Sequence, residues 1–156
     1  MKIELNNVLP EPIPKKATEE SDVWRSSLIL DPGKRHLVSG VSGRGKSTLL
    51  QLICGIRDDF SGQLLLDDRD ATNFAKEEWT ELRSNRVALM FQDLRLFPNL
   101  TARENLELIA SQDSHAKAPE KMAALLGVEE FMHTPCGNLS QGQCQRIAII
   151  RVLRRS

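Results

Sequence analysis

Tyrosine is absent from this chain, and Trp and Phe together make up only 4% of it. A charge surplus is absent too: 21 Lys and Arg balance 21 Asp and Glu. Without a basic excess the chain is not expected to hold nucleic acid non-specifically. Cysteine is sparse. Cys54, Cys136 and Cys144 have neither C-x-x-C spacing nor histidines close enough to build a zinc site. An odd, small count fits reduced thiols in the cytosol. Long apolar runs are missing as well. Met1-Lys2-Ile3-Glu4-Leu5-Asn6-Asn7 lacks the apolar core of a signal peptide, and no stretch approaches the length of a membrane span. A cytoplasmic protein is expected. His36, His115 and His133 stand apart from one another and are assigned no chemistry.

What is present, in 156 residues that are 40% apolar and 27% charged, is material for one globular domain, expected over residues 1–156. Its densest signal is Gly40-Val41-Ser42-Gly43-Arg44-Gly45-Lys46-Ser47-Thr48, a match to G-x-x-x-x-G-K-[ST]. Leu37-Val38 before it reads as a short buried strand. Thr48 to Cys54 after it reads as a helix closed by Gly55. Strand, glycine loop and helix start therefore come in the order a phosphate-binding loop needs. Glycines let the backbone turn tightly against a polyphosphate with its N–H groups pointing inward. The helix start adds the positive end of its dipole. Lys46 would then set an ammonium between the β- and γ-phosphates, and the Ser47 hydroxyl would complete a Mg²⁺ shell. Gly40, Ser42, Gly43, Arg44, Gly45, Lys46, Ser47 and Thr48 are the candidate nucleotide-binding residues.

The remaining chain reads in two styles. Ile3, Leu5 and Val8-Leu9 predict a first strand, and residues 10–22, with Pro10, Pro12 and Pro14, a loop. Trp24 to Leu30 predicts a second strand, turned by Asp31-Pro32-Gly33. Gln63 to Leu66 predicts another strand, ended by Asp67-Asp68, and Ala75 to Arg83 a helix. The run Arg86-Val87-Ala88-Leu89-Met90-Phe91 predicts a strand buried on both faces. From Pro98 the pattern turns helical. Thr101 and Glu104 predict a capping box opening a helix to about Ser111. Pro119 and Gly127 bracket a helix over 120–126. Ser140 caps a last helix with Ile147, Ile150 and Leu153 facing inward. Arg146, Arg151, Arg154 and Arg155 read as the solvated face of that helix.

Three segments carry a family resemblance. Beside the glycine loop, Leu139-Ser140-Gln141-Gly142-Gln143-Cys144-Gln145-Arg146 resembles the LSGGQ-x-QR signature of ATP-binding-cassette (ABC) ATPases, and Met90-Phe91-Gln92-Asp93 resembles their Q-loop. The stretch from Leu96 to Leu106 is similar to the segment after the Q-loop in many transporter ATPases. The resemblance implies an α/β fold of the phosphate-loop ABC type. Its mixed central sheet is accompanied by a small antiparallel β subdomain and a helical subdomain at about 98–139. It implies ATP and Mg²⁺ as cofactors, Lys46 and Gln92 in catalysis, and Ser47 and Gln92 at the metal. Ser140 heads a second anion-binding helix end, with Gly142 leaving the backbone bare and Gln143 in the first turn. In the family, two copies or paralogous subunits pair head to tail. Each signature helix then caps ATP on the other's loop, and a transmembrane permease is the further partner. The expected place is the cytoplasmic face of a membrane.

The chain also departs from the pattern. Gln141 stands where the family has glycine. No tyrosine is available for the aromatic ring that the family sets near adenine, and Trp24 is the substitute candidate beside a plain packing role. The family's later strand ending in Asp-Glu and its switch histidine are not reached by Ser156, so the C-terminal part is expected to be missing. Lacking a positioned base, this chain is expected to bind nucleotide and to hydrolyse it poorly. The leading expectation is the ATP-binding subunit of a membrane transporter. The alternatives are a nucleotide-binding switch without turnover and a DNA-repair or chromosome ATPase. The last is disfavoured because no heptad run or cysteine cluster lies between Lys46 and Ser140.

Overall fold

A computed structural model describes residues 1–11, 13–14, 18, 21–108 and 119–154. The chain divides into two compact units, Met1–Arg83 and Ser84–Ser156.

The first unit is built on a sheet of four strands in the order β2-β1-β3-β4, every pairing antiparallel. The strands are β1 (Ile3–Pro10), β2 (Ser27–Leu30), β3 (Phe60–Leu66) and β4 (Arg69–Asp70). Leu5 pairs with Leu28 on one side and with Leu64 on the other, and both Leu5 and Leu64 are buried. Val8 is buried too, although it stands three residues after Leu5. A bulge accounts for this: the β1–β3 register shifts between Asn6 and Leu9, and Asn7 takes a left-handed φ of 53°. The extra residue resets the alternation so that Val8 returns to the core face. Opposite the bulge only glycine fits, because a side chain at Gly62 would run into the Asn7 carbonyl. Asp67 and Asp68, both left-handed, turn β3 into β4.

Helix α1 (Lys46–Ile53) comes after the glycine loop and buries Leu49 and Leu52. It ends as expected, with left-handed Gly55 donating to the Leu52 carbonyl and Ile56 to that of Gln51. A side chain at Gly55 would strike the Trp79 ring, which belongs to helix α2 (Lys76–Asn85).

Three predicted strands are corrected. The second strand starts at Ser27 rather than Trp24, because Arg25 turns left-handed (φ 59°) and takes Trp24 out of the ladder. Leu37-Val38 and Arg86 to Phe91 are in no ladder among the described residues, and Leu37 is 92% exposed. Apolar composition marks a segment fit for a strand, but a strand also needs a neighbour to take its N–H and C=O groups.

The second unit carries the short helices α3 (Ala102–Glu107) and α4 (Pro119–Leu125) and the long α5 (Gln141–Leu153). Ala102, Leu106, Ala123, Val128, Met132, Cys136, Ile147 and Ile150 form its core. Both predicted caps are present. Thr101 and Glu104 form a full capping box on α3, and Ser140 caps α5. The expected helix end near Ser111 falls outside the described residues. Ile147 and Ile150 face inward as expected, whereas Leu153 is 41% exposed, since the core ends at Ile150. Two of the four arginines read as a solvated face, Arg151 and Arg154, are also corrected. Arg151 donates to the backbone carbonyls of Arg95 (2.6 Å) and Leu94, and Arg154 to that of Leu106 (2.7 Å). They are structural donors rather than a solvated face; Arg155 lies outside the described residues.

Candidate functional site

The glycine loop belongs to the first unit. Gly43 (φ 81°) and Gly45 (φ 86°) adopt left-handed backbone, which turns the chain from Ser42 into α1. Gly43 would meet nothing within 4 Å if it carried a Cβ, so its outer side is open. Gly45 is different: a Cβ there would strike Ile13 and lie 3.0 Å from the Trp24 ring. The loop thus stands on a packed floor and faces open space. A cavity of about 480 Å³ opens beside it, with Leu28, Leu30, Leu37 and Leu49 among its lining residues.

Three observations bear on whether a polyphosphate fits. Gly45, at the N-cap of α1, offers no side-chain cap. No acidic residue occupies the first turn. The Lys46 ammonium lies on the loop itself, donating to the Gly40 carbonyl at 2.7 Å and the Val41 carbonyl at 3.0 Å. N–H groups at an uncapped helix start lack partners and carry partial positive charge. Together with a lysine tethered to backbone carbonyls, they fit an anionic ligand. Ser42, Gly43 and Ser47 are exposed, while Arg44, Gly45, Lys46 and Thr48 are half-buried. Among the described residues no group of three or more His, Cys, Asp or Glu could hold a metal ion. A Mg²⁺ at the loop would therefore be held chiefly through phosphate oxygens, with Ser47 as a protein donor.

Trp24 is not placed to stack on a base. It is 3% exposed, and its indole donates to the Arg44 carbonyl at 3.1 Å.

The other predicted residues lie in the second unit. Gln92 is exposed, in a turn between Phe91 and Arg95. That turn is held by the Leu94 N–H on the Phe91 carbonyl, by the Arg95 guanidinium 3.5 Å from the centre of the Phe91 ring, and by Arg151 from α5. Leu94 and Arg95 are both left-handed, at 58° and 47°, so the Arg151 bonds secure a conformation that side-chain-bearing residues disfavour. Ser140, Gly142 and Gln143 sit together at the start of α5. The Ser140 hydroxyl accepts from the Gln143 N–H, and the Gln143 side chain accepts from the Ser140 N–H. A Cβ on Gly142 would come no nearer than 3.8 Å to the Arg146 guanidinium, so its backbone is open.

Two supporting residues are not apparent from the sequence. Buried Asn105 accepts from the Phe97 N–H and donates to the carbonyls of Phe97, Leu100 and Thr101. It pins the segment just after the Gln92 turn. Arg151 is the second, holding that turn from α5. An asparagine inside an otherwise apolar helix face is a usable signal for the first; nothing local marks the second.

A glycine loop running into an uncapped helix with a lysine at its head, in an α/β fold, defines the phosphate-loop nucleotide-binding class. Comparison with known proteins narrows this: a model of the ABC transporter family matches residues 24–156. The chain belongs to that family, as an ATP-binding domain with the ABC ATPase phosphate-loop fold. It is 32% identical over 149 residues to the glycine betaine/proline betaine transport system ATP-binding protein ProV of Salmonella typhimurium, covering 92% of this chain and 37% of that protein. The trimethylamine N-oxide transport system ATP-binding protein TmoW of Pelagibacter ubique is 38% identical, with 84% of this chain and 40% of the relative covered. The thiamine import ATP-binding protein ThiQ of Haemophilus ducreyi is 37% identical, with 81% and 59% covered. The chain thus spans between 37% and 59% of the length of these curated relatives. Among solved structures, a dimeric post-hydrolysis state of the ATP-binding cassette MJ0796, bound to ADP and Pi, matches with a TM-score of 0.76. Its identity is 28%, over 98% of this chain and 69% of that one. Among the described residues no helix is long and apolar enough to cross a membrane.

Proposed function

We propose that this chain is the nucleotide-binding part of an ABC transport ATPase and holds ATP by its phosphates on the loop from Gly40 to Thr48. The observation that carries the reading is the start of α1, uncapped by any side chain and headed by Lys46, whose ammonium rests on the Gly40 and Val41 carbonyls. On binding, Lys46 exchanges those two carbonyls for phosphate oxygens, a stronger charge-assisted bond. The backbone N–H groups from Gly43 to Thr48 line the polyphosphate. Ser47 is assigned to Mg²⁺, and Gln92 is given a metal-binding role by family resemblance alone; when bound, Mg²⁺ supplies neutralisation of phosphate charge.

Ser140, Gly142 and Gln143 are proposed to act on the loop of a second copy. The Ser140 hydroxyl accepts from Gln143 within α5 and keeps its own proton to donate. The dimeric state of the related cassette supports this arrangement. The names of the relatives, transport-system ATP-binding proteins, support a permease partner on the cytoplasmic face of a membrane and ATP hydrolysis coupled to transport. Residues 98–139 are proposed as the helical subdomain within one domain over 1–156.

Titration calorimetry of the whole chain with Mg²⁺-ATP tests the reading. Saturable one-to-one binding that Lys46→Ala weakens by about 10- to 100-fold, the worth of a bond to a charged group, is expected. Binding indifferent to Lys46→Ala would refute it.

A further inference from the structure

We propose that Trp24 is a positioning residue for nucleotide binding: its indole N–H fixes the peptide between Arg44 and Gly45 so that the Gly45 N–H faces the phosphate side of the loop. The inference rests on the nucleotide-binding reading above.

The indole lies under the loop where it turns into α1. Its Nε1 donates to the Arg44 carbonyl at 3.1 Å, and the ring comes within 3.0 Å of where a Cβ on Gly45 would stand. Trp24 is itself secured. Its backbone N–H donates to the Ser21 hydroxyl at 3.1 Å, and the next residue, left-handed Arg25, donates to the Val8 carbonyl at 3.0 Å. In a planar trans peptide the carbonyl and the following N–H point to opposite sides, and no cis peptide bond occurs here. With the Arg44 carbonyl held downward by the indole, the Gly45 N–H must point up and away from the floor. Rotated the other way, this peptide would turn the carbonyl to the side where an anion has to bind. Glycine at 45 makes such a flip easy, since it crosses between left- and right-handed backbone at little cost. An indole N–H at this point removes that freedom.

A packing role alone would need only a ring, and phenylalanine supplies one. The donor separates the two accounts.

The test tracks the two indole N–H signals of the ¹⁵N-labelled whole chain, assigned with Trp24→Phe, during titration with Mg²⁺-ATP and, separately, with Mg²⁺ and inorganic tripolyphosphate. Both ligands should shift the Trp24 indole signal in step with saturation, because the contact runs through the loop and not through a base. Trp24→Phe should bind Mg²⁺-ATP about three- to tenfold more weakly, the worth of one neutral hydrogen bond. Its amide spectrum should remain that of a folded chain. Equal affinity in Trp24→Phe, an indole signal unmoved at saturation, or a shift with ATP but not with tripolyphosphate would each overturn the proposal. If Trp24→Phe does not fold, the two titrations of the unaltered chain still decide. Absence of any nucleotide binding by the unaltered chain would instead overturn the function proposed above, and this inference with it.

Discussion

Ser140 and Gln143 close each other's backbone: the Ser140 hydroxyl accepts the Gln143 N–H at 3.3 Å, and the Gln143 Oε1 accepts the Ser140 N–H at 2.7 Å. The start of α5 is therefore satisfied within the chain, whereas the start of α1 has no side-chain cap. Two helix starts that look alike in sequence differ in readiness for an anion. Ser140→Ala should cost about 0.5–2 kcal/mol of stability, the usual worth of an N-cap, and leave Mg²⁺-ATP affinity of the monomer unchanged. Urea unfolding and calorimetry check the two halves.

Gly45 and Gly127 provide a matched pair. Both are left-handed, at 86° and 64°, but a Cβ on Gly127 meets nothing within 4 Å while one on Gly45 meets Ile13 and Trp24. Gly127→Ala should cost about 1–2 kcal/mol, the penalty of left-handed backbone alone. Gly45→Ala should cost more, and should weaken nucleotide binding as the loop shifts. Thermal melts rank the two.

The capping box on α3 is sensitive to acid. Hydrogen bonds from the Thr101 backbone N–H and then its hydroxyl hold the Glu104 carboxyl below its ordinary value of 4.5. A depressed carboxyl stabilises the fold above its unfolded value and ceases to do so as pH falls through the folded one. Urea midpoints from pH 7 down to pH 3 should therefore fall less steeply below about pH 4.5 in Glu104→Gln than in the parent. Identical slopes would show the box to be silent.

The second unit should tolerate surface change better than change at its hidden polar joint. Asn105→Leu strands the Phe97 N–H, whereas the carbonyls of Phe97, Leu100 and Thr101 keep the backbone donors of Leu100, Cys136 and residue 105. The loss should be roughly 1–3 kcal/mol, typical of one group left unpaired. Urea unfolding measures it.

How legible the molecule is in its sequence depends on how local the cause is. Thr101 with Glu104, Ser140 before α5, Gly55 after α1 and the Asp67-Asp68 turn are readable because a cap or turn is decided within a few residues. Arg86 to Phe91 misleads for the opposite reason: its composition suits a strand, but pairing is a property of two segments. Trp24 combines both effects. Its place in the alternating pattern suits β2, yet the left-handed Arg25 moves it under the loop. Arg151 depends on a carbonyl pair distant in sequence, which no local pattern reveals.

The central claim is that the loop grips nucleotide through its own backbone and the start of α1. Amide ¹⁵N–¹H spectra of the whole chain titrated with Mg²⁺-ATP test it most directly. The account predicts saturating shifts centred on Gly43, Gly45, Lys46 and Ser47, which in Lys46→Ala need about 10- to 100-fold more ligand. Shifts confined to residues outside Gly40 to Thr48, or none at saturating ligand, would contradict it.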